Sequence, residues 1–206
     1  KVLGTDLDPE KLALASKLGA DAVCNSSDLL AAADVFSGGR GVDCIIITAS
    51  TSSNQPITDA GEIARLRAKV VIVGMVGMDI PRNIFYRKEL DIRLSMAYGP
   101  GRYDAEYEEK GHDYPFSYVR WTEQRNFEAF LELIAEGKVT PKALVTHQFD
   151  FADALKAYDL LEGKTQEKYL GIVLNYPNAD QYLDQARSAT LTKTVALKAA
   201  QHAAPS

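Results

Sequence analysis

The apolar residues of this chain fall into short runs of two kinds, and their order along the sequence predicts the fold. Val2 to Thr5 forms a short buried strand running into Asp6-Leu7-Asp8-Pro9-Glu10. That segment starts a helix: Asp8 caps free amides, Pro9 suits the first helical position and Glu10 complements the helix dipole. Leu12, Ala15 and Leu18 recur at helical spacing, and Gly19 stops the run. Ala22-Val23-Cys24 gives a second strand, and Asp28 caps a helix through Phe36 that ends at Gly38-Gly39. Val42 to Ile47, apolar except for Asp43, is an unalternated β-branched run suited to a parallel strand covered on both faces. Pro56 to Leu66 reads as a helix with Ile57, Ala60, Ile63 and Ala64 inward. Residues 69–74, KVVIVG, read as another doubly buried strand, and Leu90 to Ala97 as a further member of the same sheet.

Strand and helix alternate with short glycine-containing joints, which implies right-handed crossovers and a parallel sheet. The expected class is α/β, a doubly wound, Rossmann-like sheet over residues 1–98. From Gly99 the pattern changes. Residues 99–118 hold Gly99-Pro100-Gly101 and four tyrosines among charges, which suggests a long loop ordered by its neighbours. Glu123 to Glu136 is amphipathic, with Phe127, Phe130, Leu131 and Ile134 inward and Gly137 as the stop. A strand at Val145–Phe149, a helix begun by Asp150 and Asp153 and stopped by Gly163, and a strand at Tyr169–Leu174 complete an α+β segment, 99–176. Residues 177–206, with Leu191, Val195 and Leu197 as a weak apolar pattern, read as a linker or tail.

Composition narrows the function classes. Lys and Arg number 23 against 28 Asp and Glu, a net charge of −5 with neither sign in a long block. A phosphate-backbone footprint needs clustered cations, so nucleic acid is not an expected partner. Cys24 and Cys44 are too few for a disulfide framework, lack zinc-site spacing and read as buried small hydrophobes. No apolar run suffices to span a membrane, and a reduced, cytoplasmic protein is the expectation. The chain opens at Lys1 inside an apolar run, so it reads as a piece of something longer.

Asp6 is the sharpest chemical clue. Ligands of doubly wound sheets lie outside the carboxyl ends of the strands. An acid there accepts both hydroxyls of an adenosine ribose and repels a 2′-phosphate, favouring NAD over NADP. The same acid could instead assist Asp8 in capping the helix. Lys11, in the first helical turn, reaches toward the adenosine or toward solvent. Thr48-Ala49-Ser50 and Gly74-Met75-Val76-Gly77 follow the third and fourth strands, and small residues there let backbone approach a flat ring. No G-x-G-x-x-G precedes Asp6, so the first strand and its pyrophosphate-binding glycine turn are absent from the reading. His112, His147 and His202 are scattered, with His147 structural beside Thr146. Arg87-Lys88-Glu89 reads as a solvated run, and Trp121 with Phe127 and Phe130 as core.

Taken in order, VLGTDLDPEKLALASKLGADAV, GVDCIIITAS, KVVIVGMVG, FYRKELDIRLS and GKVTPKALVTHQFDFADALKAYDLLEGK closed by KYLGIVL resemble the medium-chain dehydrogenase/reductase superfamily, the relatives of zinc-type alcohol dehydrogenase. The likeness covers residues 1–174. The segment YPFSYVRWTEQRNFEAFLELIAEGKV looks most like bidomain oxidoreductases carrying a second dehydrogenase-like domain. The resemblance implies an NAD-dependent oxidoreductase acting on an alcohol or sugar-like substrate. It places Asp6 and Lys11 at the ribose, and Thr48, Ala49, Ser50, Val73, Gly74 and Met75 along the cofactor. It implies a catalytic zinc whose ligands lie outside this chain, so no catalytic residue carries over. It also implies a small-molecule substrate, and a homodimer through the edge strand Leu90–Ala97. A methyltransferase-like domain and a non-catalytic assembly module are the alternatives. With the family's first strand absent, the strand ending in Asp6 either pairs directly with the Val42–Ile47 strand or both are left with open edges.

Overall fold

A computed structural model describes residues 1–177. The chain divides into two compact units, one ending at Ala129 and one beginning at Phe130.

The first unit opens with strand β1 (Leu3–Asp6), helix α1 (Pro9–Lys17) and strand β2 (Ala22–Asn25). Asp8 caps α1 by accepting the Glu10 amide at 2.9 Å, with Pro9 in the first turn and the chain turning out of the helix at Gly19, φ +110°. The expected cap at Asp28 is displaced. Asn25 caps a 3₁₀ turn, Ser26–Asp28, before helix α2 (Leu29–Ser37), which ends at the left-handed Gly38. An Asx side chain at the end of a strand competes for the first free amides, and Asn25 stands three residues earlier than Asp28.

Strand β3 (Val42–Ile47), helix α3 (Gln55–Ile63), strand β4 (Ala64–Ile72), helix α4 (Arg82–Arg87) and strand β5 (Asp91–Leu94) follow. Helix α3 stops three residues earlier than its apolar pattern suggests, and Ala64 to Leu66 join β4. Lys88 supplies the reason: its ammonium donates to the carbonyls of Gly61, Glu62 and Ala64 at 2.8, 2.7 and 2.8 Å. It thereby caps the end of α3, and the reading of Arg87-Lys88-Glu89 as a solvated run is corrected. Strand β4 bulges between Ala64, opposite Val42, and Lys69, opposite Cys44. Arg67 within the bulge holds φ +60°, its amide bonded to the Lys88 carbonyl at 2.7 Å.

All pairings are parallel, as expected, but the sheet of the first unit is in two pieces. Strand β1 pairs with β2, and β3, β4 and β5 form a separate three-stranded sheet. Of the two arrangements considered, the one with open edges on β1 and β3 holds. The core is Ile47, Ile57, Ala60, Val70, Ile72 and Phe85, with Ile45, Ile84, Leu90 and Ile92 packed against it. Burying each large member contributes about 1.5–3 kcal/mol. Strand β3 is not covered on both faces: Ile46 is 63% exposed and Cys44 is exposed. Cys24 is only half-buried, so neither cysteine is the expected buried hydrophobe. An edge strand with one bare face cannot cover its alternate side chains, whatever their polarity.

After β5 the segment from Tyr98 to Thr122 folds on itself, around the short helix α5 (Ala105–Glu108). Asp104 caps α5 through the Glu106 amide at 3.0 Å and also accepts the Tyr114 hydroxyl. Tyr107 stacks on Tyr114, and its hydroxyl accepts the Gln124 amide at 3.0 Å, at the start of helix α6 (Glu123–Ala135). Arg125 binds Asp113 and the carbonyls of Tyr114 and Val119. Helix α6 has no buried residue; Phe127, Phe130 and Leu131 are exposed, so the expected inward stripe is not a core stripe.

In the second unit, strand β6 (Val145–Asp150), helix α7 (Ala154–Leu161) and strand β7 (Gly171–Asn175) form a parallel crossover with Ala157 and Leu160 buried. A 3₁₀ turn, Phe151–Asp153, precedes α7, and neither Asp150 nor Asp153 makes a side-chain cap. His147 lies between Thr146 (2.9 Å) and Glu167 (3.2 Å), a structural link as expected. Leu191, Val195, Leu197 and His202 lie outside the described residues.

Candidate functional site

Because β3, β4 and β5 run parallel, their carboxyl ends share one rim, and β1 ends its own parallel pair in Asp6. Asp6, 37% exposed at its side chain, is the last residue of β1 and lies opposite Asn25. One oxygen, Oδ1, accepts the Asp8 amide at 2.9 Å; the other, Oδ2, faces the Lys11 ammonium at 4.0 Å. Asp6 caps no helical amide; it braces the turn into α1 while Asp8 does the capping. An Asx turn of this kind fixes the carboxylate rotamer before any ligand arrives. Oδ2 takes no hydrogen bond from the described residues and remains an acceptor.

The loops after β3 and β4 form a stitched ledge. The amides of Val73 and Gly74 both donate to the Ile47 carbonyl at 2.9 Å, and the Thr51 amide donates to the Met75 carbonyl at 2.8 Å. A Cβ on Gly74 would stand 2.0 Å from the Ala49 carbonyl oxygen, so only glycine permits this approach. Thr48, Ala49 and Ser50 are exposed on one side of the seam, with Val73 and Met75 exposed at 53% and 80% on the other. The structure therefore brings Thr48–Ser50 and Val73–Met75 together. Asp6 and Lys11 form a separate pair, with no hydrogen bond or ion pair to the ledge among the described residues.

Asn54 was not singled out by the sequence. Its Oδ1 accepts the Asp79 amide at 3.0 Å, and a Cβ on Gly77 would lie 2.2 Å from that same oxygen. Asn54 thus pins the second loop to the start of α3. The available signal was an Asn immediately before Gln55-Pro56, a helix-start pattern facing a glycine pair.

No group of three or more His, Cys, Asp or Glu able to hold a metal occurs among the described residues. The set of donors does not fit a zinc ion, and no step is drawn through one. The glycine-rich turn that would hold a pyrophosphate is likewise absent from the described helix starts. No described helix is long and apolar enough to cross a membrane.

Comparison with known proteins agrees with the α/β fold. Residues 1–110 match the model of the zinc-binding dehydrogenase family, more than half of the chain, and the chain belongs to that family. Among curated relatives, the D-xylulose reductase of Saccharomyces cerevisiae is 28% identical over 167 residues, covering 77% of this chain and 39% of the relative. Among solved structures, galactitol-1-phosphate dehydrogenase from Escherichia coli superposes with a TM-score of 0.59 at 26% identity, over 82% of this chain and 45% of that one. An Escherichia coli alcohol dehydrogenase complexed with NADH gives a TM-score of 0.61 at 22% identity, over 85% and 44%. The chain thus spans about two fifths of the length of the curated relative it matches. Family membership decides against the methyltransferase alternative.

Proposed function

We propose that this chain supplies the ribose and nicotinamide side of an NAD(H)-dependent oxidoreductase acting on an alcohol or polyhydroxy, sugar-like substrate. The observation that carries the reading is Asp6: a carboxylate at the end of a parallel strand, its rotamer fixed by the Asp8 amide and its second oxygen free to accept. The names of the relatives, a xylulose reductase and a galactitol-phosphate dehydrogenase, support the substrate class.

In this reading Asp6 accepts ribose hydroxyls and discriminates against a 2′-phosphate by charge. Lys11, 4.0 Å from Oδ2, sets a positive charge beside that carboxylate and lies at the adenosine end. The bound nicotinamide supplies the hydride acceptor. The ledge of Thr48–Ser50 and Val73–Met75 offers backbone carbonyl and amide groups to orient the ring, and Met75 covers its face from water. Proton transfer and polarisation of the substrate oxygen belong to groups outside the described residues.

The remaining parts of the reading follow from the same family. The protein works in the cytoplasm, dimerises along the free edge of β5, and is divided at 98 and 176 into cofactor, catalytic-domain and tail segments. A second dehydrogenase-like domain accompanies it.

The test is nucleotide discrimination in the full-length protein. NADH is expected to bind about 100-fold more tightly than NADPH, some 2.7 kcal/mol. Asp6→Ser should narrow that ratio below about tenfold, chiefly by improving NADPH. An unchanged ratio in Asp6→Ser refutes the assignment. The 206-residue chain by itself, with its sheet in two pieces, is expected to bind NADH weakly, and micromolar affinity by calorimetry would contradict that.

A further inference from the structure

The segment from Tyr98 to Thr122 leaves the sheet just beyond the carboxyl end of β5, on the rim that also carries the Thr48 and Val73 loops. It holds two arginines, with a third at the start of α6, and they are used differently. Arg102 is neutralised by Glu108 at 2.6 Å, and Arg125 by Asp113. Arg120 has no carboxylate and no hydrogen-bond acceptor among the described residues. Its guanidinium instead lies 4.0 Å over the Trp121 ring and 4.6 Å over Phe116. The acids of the same segment are otherwise engaged, apart from Glu109: Asp104 by Tyr114, Glu106 by Lys110 and His112, Glu108 by Arg102 and Asp113 by Arg125.

Stacking uses the face of a guanidinium and leaves its in-plane N–H fork free. An arginine held over two rings, with no described anion beside it, keeps N–H donors available to a carboxylate or phosphate. Around it, Tyr118 is 88% exposed and Trp121 49%, although tryptophan read from the sequence belonged in the core. Exposed rings offer flat faces to the C–H side of a sugar chain and a hydroxyl to its polar side.

We infer that Arg120, presented by Trp121 and Phe116, receives the anionic end of the substrate, which is therefore a sugar phosphate or sugar acid rather than a neutral polyol. This rests on the proposed oxidation of a polyhydroxy substrate and adds the charge that selects it. Arg120 is a binding and specificity residue and takes no part in the hydride step.

Trp121 is the single tryptophan of these 206 residues, so the emission lost in Trp121→Phe is the part that reports on the site. The full-length protein is titrated with galactitol-1-phosphate, with gluconate, with neutral galactitol and with inorganic phosphate, using Trp121→Phe as the optical blank. The phosphate-bearing or the carboxylate-bearing polyol is expected to half-saturate the signal at a concentration at least ~30-fold below galactitol, and the stronger of the two identifies the anion. Arg120→Gln should abolish that preference, and Arg120→Lys should restore only part of it, since lysine lacks the fork. With NAD, kcat/KM for the preferred anion should fall ~30-fold in Arg120→Gln while that for galactitol changes less than about threefold.

Equal response to charged and neutral polyols, or equal losses on both in Arg120→Gln, overturns the inference. Inorganic phosphate binding as tightly as the sugar phosphate refutes the sugar part of it. Neutral-polyol turnover without anion preference leaves the oxidoreductase reading standing and removes this one. An anion-dependent Trp121 signal without any NADH binding does the reverse.

Discussion

The two sheet fragments of the first unit differ in what holds them. The β3–β4–β5 sheet carries the core, with Ile47, Val70 and Ile72 in the strands and Ile57, Ala60 and Phe85 from the helices over them. The β1–β2 pair has four residues in each strand and none fully buried, and α1 buries none either. The ledge proposed for the nicotinamide therefore stands on the better-packed fragment, and the acid proposed for the ribose on the loosely held one. Preorganisation at Asp6 is local, coming from the turn it braces, and not from the layer beneath it.

The comparison breaks most readily in the core. Ile57, with no exposed surface, should cost about 2–5 kcal/mol when changed to Ala, against less than ~1 kcal/mol for Val2→Ala in the first fragment. Urea unfolding followed by circular dichroism measures both, and equal losses would show that the fragments share one core. Next in size is Lys88→Met. It leaves three helix-end carbonyls without their donor and should cost about 2 kcal/mol, read as a lower Tm.

Arg67→Gly runs the other way. Removing a side chain from φ +60° should stabilise the bulge by about 1 kcal/mol, because the exposed Arg67–Glu89 pair it sacrifices is weak. A lower Tm for Arg67→Gly would show that the pair or the lost chain restriction outweighs the strain.

The smallest effect sharpens the contrast with the tyrosine-rich segment. The Tyr114 hydroxyl holds the Asp104 carboxyl below the ordinary aspartate range, and Asp104 in turn holds the Tyr114 phenol above the ordinary tyrosine range. For a lowered acid, the stabilisation is present above the unfolded pKa and is lost as pH falls through the folded one. For the raised phenol, it is present below the unfolded pKa and is lost as pH rises through the folded one. The segment should loosen at both extremes while the β3–β4–β5 core stays folded. Trp121 emission against pH, compared with far-ultraviolet dichroism, tests this; Tyr114→Phe should remove the acid limb.

Much of the fold could be read from the sequence, because period and punctuation coincided there. Asp8-Pro9 and Gly19 bounded α1, Gly38 ended α2, and the first four residues of KVVIVG ended β4. What stayed hidden depended on partners distant in sequence. Lys88 shortens α3 from 24 residues away or more, which no local pattern reveals. The β3 run looked doubly covered because β-branched residues carry no mark of whether a neighbouring strand exists. Asp6 was legible as an acid closing a strand, whereas its bond to the Asp8 amide, which braces the turn into α1, was not. Trp121 was misplaced because an arginine over an exposed ring satisfies an aromatic that a core would otherwise claim, and Phe127 because it packs on Tyr98 instead.

The bare margins of β1 and β3 bear on how a cofactor would act on this molecule. A dinucleotide touching both Asp6 and the Met75 ledge would bridge two pieces that no backbone ladder joins. Part of its affinity would then be diverted into drawing them together, and amide protons of β1 and β2 would become slower to exchange with heavy water only when it is present. The nucleotide would serve as a template for the architecture as well as a reagent.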